Sequence, residues 1–264
     1  MRAETCAAIV LNLAPVRAGH RYPVSSLVKG GRLTDGYRDR VWLEPLLRGT
    51  YPSDMIQFVR AVWWSPRPGR RHALHSTPLD WLGINHYHDI ILEREEGEDR
   101  ASDRVEVHPG VVGVREAPPS CEHTDLGWPI TPDGLRTLLV SVARTYPNVP
   151  PMMMTENGAA LHDPVEVDGT IADEQRIRYL GAHVDALTGA IGQGVDVRGY
   201  LVWSLLDNFE WAEGYGQRFG LVEVDDVTQA RTPRRSATWY REIIRRQVGS
   251  HVRSRAGARG VPVE

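Results

Sequence analysis

A fourfold alternation of short apolar segments with helical patterns is the feature that most constrains the fold of this chain. The apolar segments cover residues 7–13, 79–87, 151–158 and 197–206, and their length between turn signals is typical of strands. Each of them is followed further along the chain by a segment with helical spacing. Such an alternation predicts parallel strands with helices packed outside them.

The helical segments have recognisable starts and stops. The first is expected to begin at Thr34 or Asp35, to kink at Pro45 and to end at Gly49. The clearest start is Thr131-Pro132-Asp133, after which apolar residues repeat at helical spacing until Pro147. The remaining helices are predicted over residues 177–191 and from about residue 236.

The connections are expected to be irregular. Residues 63–75, 93–103 and 207–232 are predicted as loops, and the Arg- and Gly-rich residues 249–264 as a disordered basic tail. No Gly-x-Gly-x-x-Gly opens any of the helices, so we expect no dinucleotide or phosphate site. Long loops after the strands favour a barrel, but a barrel of this kind closes with eight strands and the chain supplies four. The sequence therefore predicts half a barrel.

Composition excludes several classes of function. The net charge of -3 does not provide the positive field that nucleic-acid-binding proteins carry. The sequence also contains no run of about 18 apolar residues, which is the length needed to span a membrane. Cys6 and Cys121 lie far apart without metal-ligand spacing, which argues against a disulfide scaffold or a metal site and favours a cytoplasmic protein. We expect no cofactor. Eight tryptophans against three phenylalanines suit either a core or a sugar-binding cleft.

Residues 151–158 form an apolar run that ends at Thr155-Glu156-Asn157-Gly158. A carboxylate at the carboxyl end of a parallel strand is where barrel enzymes place their chemistry. The alternative is a Glu that opens a surface turn closed by Asn-Gly. Taken by itself, this window favours the turn.

Five segments, taken in order, resemble the C-terminal part of glycoside hydrolase family 1, the β-glucosidase family. The resemblance covers residues 7–248 and implies a partial (β/α)8 TIM barrel of about the last four β/α units, strands five to eight. Residues 1–248 would then be the C-terminal half of a glycosidase barrel. The five segments are 42–52, 82–87, 124–128, 155–158 and 203–211, the last continuing through residues 214–215 and 218–221.

The resemblance implies a retaining β-glycosidase that hydrolyses terminal β-D-glucosides. It assigns the nucleophile to Glu156, and the chemistry agrees, because a retaining glycosidase needs an ionised carboxylate beneath the anomeric carbon. Tyr87 matches the tyrosine whose hydroxyl orients that carboxylate, and Asn85 matches a polar group of the same pocket. Without the family, Tyr87 could equally be a tyrosine that caps a core strand.

The resemblance also implies a glycone site in the loop after the last strand. Glu210 would accept hydrogen bonds from two sugar hydroxyls, Trp211 would donate its indole N–H, and Trp203 would offer its face to the ring. Trp203 could instead be ordinary core. Trp128 and Phe219 match positions at the mouth of the cleft, although either could simply pack.

One required group is missing, since a retaining glycosidase needs a second carboxylate as general acid. The family supplies it from an Asn-Glu-Pro segment that this chain lacks, and Glu44-Pro45 follows leucine within a predicted helix. We therefore expect a fragment with little activity alone, which pairs with an N-terminal half chain or self-associates through exposed strand edges. The alternatives are a non-catalytic sugar-binding remnant and an inactive structural fragment.

Overall fold

The computed structural model describes residues 6–19, 25–62, 78–94, 108, 111, 114–117, 120–165 and 168–257. The strands are β1 Ala8–Asn12, β2 Val16–Ala18, β3 Trp81–Asn85, β4 Ile90–Arg94, β5 Val114–Glu116, β6 Met152–Asn157, β7 Val197–Val202, β8 Val222–Val224 and β9 Arg231–Pro233. The α-helices are α1 Ser25–Asp35, α2 Val41–Arg48, α3 Ser53–Val62, α4 Pro132–Thr145, α5 Glu174–Ile191 and α6 Arg235–Gly257. A π-helical segment Gly36–Arg40 joins α1 to α2, and a short 3-10 turn covers Trp211–Glu213.

The chain divides into two compact units. The sheet unit comprises Met1–Asn157 and Ala182–Val202, and the loop unit comprises Gly158–Gly181 and Trp203–Glu264. The main sheet lies within the sheet unit, and the small antiparallel pair of β8 and β9 lies within the loop unit.

The main sheet has the strand order β1-β3-β6-β7, and every pair in it is parallel. Neighbouring strands follow one another in chain order, with a helix between consecutive strands, as the alternation predicted. A second sheet of β2, β4 and β5 lies in the same unit. The predicted α/β architecture with four parallel strands is therefore confirmed.

One face of the main sheet packs against helices. Leu82 and Ile84 of β3 and Met152 and Met154 of β6 are buried in a cluster with apolar residues of α4 and α5. Burying such side chains stabilises the fold by about 1.5–3 kcal/mol each. The residues that α4 and α5 contribute to this cluster are Leu135, Leu138, Leu139, Val142, Ala186, Leu187 and Ala190.

Helix α4 starts as predicted, with Pro132 at its first turn and Asp133 near its amino end. It ends at Thr145, before Pro147. The hydroxyl of Thr131 does not cap this helix; it accepts a hydrogen bond of 2.9 Å from the backbone N–H of Asp89. The start is thus set by the proline and the chain turn.

The predicted start of the first helix is wrong. Helix α1 begins at Ser25, and Thr34 is buried inside it. Asp35 does not act as a cap, because its carboxylate accepts a 2.6 Å hydrogen bond from the guanidinium of Arg40. The predicted end is confirmed, since Gly49 closes α2 with a left-handed φ of 72°.

Several other boundaries differ from the predictions. The predicted loop at 93–103 begins too early because β4 runs to Arg94, and the predicted loop at 207–232 contains β8 and β9. Helix α3 and strands β2, β4 and β5 were not predicted. Helix α6 continues to Gly257, so residues 249–257 are helical where a disordered tail was expected. Residues 63–77, 95–107 and 258–264 lie outside the described residues.

The strand predicted over 197–206 is shorter and more exposed than expected. It ends at Val202, and Leu201 and Leu205 are 51% and 68% exposed. β7 is the last strand of its sheet, and an edge strand has one neighbour fewer to cover its side chains.

Within the described part of the chain, no helix is long and apolar enough to cross a membrane. The same described residues contain no cluster of His, Cys, Asp or Glu suited to a metal ion. Cys6 and Cys121 are both exposed and free.

Candidate functional site

The carboxyl ends of β3 and β6 bring polar side chains together. Asn85, the last residue of β3, is in register with Glu156 of β6. Tyr87 follows two residues after Asn85, and its hydroxyl donates a hydrogen bond of 2.7 Å to Oε2 of Glu156. The parallel arrangement explains the meeting, since carboxyl ends of adjacent parallel strands lie at the same edge of the sheet.

A β-bulge occurs at this end of β6. Ile84 pairs with Met154 but the next residue, Asn85, pairs with Glu156, so Thr155 is an extra residue in β6. The hydroxyl of Thr155 donates a 2.7 Å hydrogen bond to Oδ1 of Asn85. The pairing of β6 with β7 is also irregular here, between Met154 and Asn157. Bulges of this kind redirect the side chains that follow them.

The bulge decides which way Glu156 faces. Strict alternation would place Glu156 on the same face as Met152 and Met154, which are buried against the helices. Instead, Asn157 is the buried residue, and its Oδ1 accepts a hydrogen bond from the hydroxyl of Tyr200. The side chain of Tyr200 packs against the core cluster that contains Met152 and Met154. Glu156 is thereby released from the core face and remains partly exposed.

Trp128 lies next to Tyr87. The two ring centroids are 5.3 Å apart, and the ring centroid of His88 lies 5.2 Å from that of Trp128. A tight turn presents the indole: Gly127 has a φ of 74°, and the backbone N–H of Trp128 donates to the hydroxyl of Thr124. Trp128 also lines a cavity of about 110 Å³ with His88 and Glu116. The indole thus borders the hydrogen-bonded pair of Tyr87 and Glu156.

His86 lies between Asn85 and Tyr87 but takes no part in this group. Its imidazole is fully buried, and Nδ1 is 3.1 Å from the carbonyl oxygen of Leu13. Burial lowers the pKa of His86 to about 3, and the nearby His183 adds to the effect. A fully buried imidazole with a lowered pKa is typical of a packing residue.

In the loop unit, Glu210 and Trp211 form a polar turn. The indole of Trp211 is 81% exposed, and its backbone has a positive φ of 44°. The backbone N–H of Glu210 donates to the carbonyl of Gly214 at 2.7 Å, which closes the turn. Oε2 of Glu210 is shielded from solvent and has no hydrogen-bond partner among the described residues. A shielded carboxylate oxygen without a donor is costly unless a ligand supplies one.

Trp203 and Phe219 are placed differently from each other. Trp203 is half-buried, and its carbonyl oxygen would overlap a Cβ atom at position 158, which explains why Gly158 stands there. Phe219 is only 2% exposed, and its carbonyl accepts a hydrogen bond from Ser204. The burial of Phe219 favours the packing alternative that its sequence position left open.

A cluster of buried ion pairs lies within the loop unit, and its arginines were not predicted as site residues. Arg234 contacts the carboxylates of Asp163 at 2.8 Å and Asp207 at 3.0 Å. Arg176 bonds Asp163 at 2.7 Å. Asp207 also accepts the backbone N–H of Gly220. The burial of an arginine between two aspartates cannot be predicted from the sequence, because the three residues lie far apart along the chain.

Arg218 makes contacts within the same loop. Its guanidinium donates to Asp226 at 2.6 Å and to the carbonyl of Val224 at 3.0 Å.

The candidate residues therefore form two groups. Glu156, Tyr87, Asn85 and Trp128 lie together in the sheet unit. The other group lies in the loop unit: Trp203, Glu210, Trp211 and Phe219.

The chain matches the family model of glycosyl hydrolase family 1 over residues 13–248. It is 43% identical over 242 residues to thermostable beta-glucosidase B of Thermobispora bispora, covering 90% of this chain and 47% of that protein. It is 40% identical over 213 residues to a bifunctional beta-D-glucosidase/beta-D-fucosidase of Bifidobacterium breve, with 78% and 46% covered. The chain spans about half the length of the curated relatives it matches.

The chain is also similar in structure to solved beta-glucosidases. A psychrophilic beta-glucosidase from Micrococcus antarcticus superposes with a TM-score of 0.79 at 37% identity, over 90% of this chain and 52% of that one. A family 1 beta-glucosidase from Exiguobacterium antarcticum superposes with a TM-score of 0.80 at 34% identity, over 94% and 52%.

Proposed function

The chain belongs to glycosyl hydrolase family 1, and from that premise we propose that it carries the nucleophile of a retaining β-glycosidase. Glu156 attacks the anomeric carbon of a β-D-glucoside and forms a glycosyl-enzyme ester. The bond to the leaving-group oxygen breaks as the ester bond forms, and that oxygen takes up a proton. Water then attacks the anomeric carbon, gives up a proton, and frees the Glu156 carboxylate.

One contact carries the proposal: the Tyr87 hydroxyl donates to Oε2 of Glu156 at 2.7 Å. A hydrogen bond to a carboxylate is stronger than a neutral one and restricts the rotation of the group. Holding one oxygen in this way leaves the other to attack, in a fixed direction. Asn85, in register with Glu156, lies at the same strand end and supplies a further polar group.

The loop unit is proposed to bind the sugar. Glu210 accepts hydrogen bonds from sugar hydroxyls through the Oε2 that has no partner among the described residues. Trp211, whose indole is exposed, donates its N–H to another hydroxyl, and Trp203 packs against the ring. Trp128 borders the leaving-group side. Phe219, being buried, supports the loop from beneath.

The 264 residues contain no Asn-Glu-Pro segment, the segment from which the family is expected to supply the proton for the leaving group. We propose that the chain represents strands five to eight of a (β/α)8 barrel and that another barrel half supplies the acid. Among the described residues, no strand pairs with the outer edge of β1 or of β7. Those edges are where the other half would add its strands.

The test is covalent trapping with a 2-deoxy-2-fluoro-β-glucoside that carries an activated leaving group, because such a group needs little protonation. The chain is treated alone and after mixing with the N-terminal half of a family 1 β-glucosidase. We expect one fluoroglucosyl adduct, mapped to the peptide that contains Glu156 and absent from Glu156→Gln. The exposed Glu174→Gln serves as the matched control and should be labelled normally.

Two outcomes would contradict the proposal. The assignment of Glu156 fails if the label maps elsewhere, survives Glu156→Gln, or does not form even with the added half.

The expectation of low activity is tested with a nitrophenyl β-glucoside. General acid catalysis contributes about 10²–10⁴-fold, so the chain alone should turn over this substrate more slowly than the chain mixed with the other half. The difference should reach at most about that factor, because the nitrophenyl leaving group needs little protonation. Rapid turnover by pure monomer, abolished by Glu156→Gln, would overturn it.

A second candidate function is sugar binding without catalysis. It is favoured by the shielded Oε2 of Glu210 beside an exposed tryptophan. Calorimetry with glucose should then give weak saturable heat that Glu210→Ala removes and that Glu213→Ala, an exposed neighbour, keeps. Heat without any labelling would favour this function, and absence of both would leave an inactive structural fragment.

A further inference from the structure

Asn157 is fully buried and uses its side-chain amide in two directions. Its Nδ2 donates a hydrogen bond of 2.8 Å to the carbonyl oxygen of His86. Its Oδ1 accepts a hydrogen bond of 2.5 Å from the hydroxyl of Tyr200, on β7. Asn157 ends β6, His86 directly follows β3, and Tyr200 lies within β7, and these three strands are neighbours in one sheet. One side chain therefore connects all three.

These contacts flank the pair formed by Tyr87 and Glu156. His86 precedes Tyr87 directly, and Asn157 follows Glu156 directly. The backbone N–H of His86 donates to the carbonyl of Glu156 at 3.0 Å. One main-chain bond and one side-chain bond thus join the two dipeptides, so the separation of the Tyr87 and Glu156 backbones depends on both.

The regular ladder of strand hydrogen bonds is interrupted at this place. The register of β6 shifts against β3 between Ile84 and Asn85, and against β7 between Met154 and Asn157. A bulge leaves its strand locally less constrained by the ladder. The end of β6 is therefore positioned partly by side-chain contacts, and the amide of Asn157 makes two of them.

We propose that Asn157, held by Tyr200, is a positioning residue that sets the hydrogen bond between Tyr87 and Glu156. The proposal rests on the proposed function, in which that bond orients the nucleophile. Neither Asn157 nor Tyr200 was singled out in the sequence for a role of its own. A merely structural asparagine would affect stability when replaced, but it would leave the contact between Tyr87 and Glu156 intact.

The first experiment reads that contact directly, without catalysis. The full chain is labelled with ¹³Cζ-tyrosine, the Tyr87 resonance is assigned from its loss in Tyr87→Phe, and its position without an acceptor is taken from Glu156→Gln. In Tyr200→Phe, which removes only a hydroxyl, we expect the Tyr87 resonance to move towards the Glu156→Gln position. Asn157→Asp keeps an acceptor for Tyr200 but loses the donor to His86. It should move the Tyr87 resonance further towards the Glu156→Gln position than Tyr200→Phe does.

Tyr146→Phe is the matched control, since Tyr146 is buried in the core of the same unit. It should leave the Tyr87 resonance unchanged. If Asn157→Asp does not fold, Tyr200→Phe decides alone. An unmoved Tyr87 resonance in folded Tyr200→Phe overturns the proposal.

The second experiment measures labelling of Glu156 by the activated fluoroglucoside, with the other barrel half present. A displacement of about 1 Å can cost about 10²-fold in rate, so we expect Tyr200→Phe to slow labelling by about 10- to 100-fold, and Tyr146→Phe to leave it unchanged. Equal rates for wild type and Tyr200→Phe contradict the positioning role. Failure of the wild type itself to label counts against the proposed function, and the resonance experiment then still decides whether Asn157 sets the contact.

Discussion

The hydroxyl of Tyr87 donates a hydrogen bond of 2.7 Å to Oε2 of Glu156, although 69 residues separate them in sequence. Adjacent parallel strands bring the two residues to one edge of the sheet. The bulge at Thr155 turns the carboxylate away from the core face, where alternation would have placed it.

Removing the Tyr87 hydroxyl should weaken the orientation of Glu156 without unfolding the chain. Hydrogen bonds to charged groups contribute about 1.5–3 kcal/mol, so Tyr87→Phe should slow labelling of Glu156 by about 10- to 100-fold. The measurement is the labelling rate constant in the presence of the other barrel half. Tyr146→Phe removes a hydroxyl from the core and should leave the rate unchanged. An equal rate for Tyr87→Phe and wild type would mean that the contact is not functional.

The two neighbouring arginines at positions 234 and 235 should differ sharply in their effect on stability. Arg234 is buried between Asp163 and Asp207, so Arg234→Met leaves two buried carboxylates short of a partner and should cost about 3–5 kcal/mol. Arg235 makes an exposed pair with Glu174, and Arg235→Met should cost about 0–1 kcal/mol. Urea unfolding followed by tryptophan fluorescence gives both values. Similar losses in the two variants would show that the cluster is not buried as described.

Asp39 should make the chain less stable as the pH rises. Burial, assisted by the carboxylate of Asp35, raises the pKa of Asp39 from 3.8 to about 7. Between these values the folded state keeps a proton that the unfolded state has lost, so stability falls as the pH rises through this window and stays reduced above it. Asp39→Asn keeps an acceptor for the backbone N–H of Ala14, and should therefore gain stability over wild type as the pH rises.

The measurement for Asp39 is the free energy of unfolding in urea at pH 5 and pH 8. The difference between Asp39→Asn and wild type should be larger at pH 8. Asp125→Asn, at an exposed position, is the control and should change stability little at either pH. His86 has the opposite effect on the pH dependence of stability. Burial lowers its pKa from 6.5 to about 3, so its contribution to the free energy of unfolding is lost as the pH falls below about 6.5, its pKa in the unfolded chain. A larger gain for Asp39→Asn at pH 5 would contradict the sign.

Two leucine-to-alanine substitutions test the core. Leu139 of α4 is fully buried against the main sheet, whereas Leu205 is mostly exposed. Leu139→Ala should lower the free energy of unfolding by about 2–5 kcal/mol through lost burial and a cavity. Leu205→Ala should change it by about 0.5 kcal/mol or less. Denaturant unfolding of both variants checks the core, and equal effects would contradict the burial of α4.

Much of the fold could be predicted because local patterns determine it. The apolar spacing of α4, its start at Pro132 and the parallel order of the strands all follow from hydrophobic periodicity and the alternation of elements. Helix α1 was misplaced because Thr34 and Asp35 look like caps in isolation. In the folded chain the helical segment already begins at Ser25, and the carboxylate of Asp35 accepts a hydrogen bond from Arg40, five residues further on, instead of capping a helix.

The candidate site was predicted in its residue types but not in its geometry. The Thr155–Gly158 segment pointed to Glu156, and the resemblance pointed to Tyr87. Neither indicates a bulge, because a bulge depends on the register of both neighbouring strands. The burial of Phe219 and the buried contacts of Arg234 were equally out of reach.

The sequence by itself thus determined the order of the four parallel strands, the family and the carboxylate at position 156, since all of these lie in contiguous segments whose chemistry is local, and the resemblance implied the contact between Tyr87 and Glu156. Only the tertiary structure decided that Glu156 leaves the core face and that Asn157 links His86 to Tyr200. The physical reason is that strand register and buried polar contacts are pairwise properties of distant residues, and no single segment contains them.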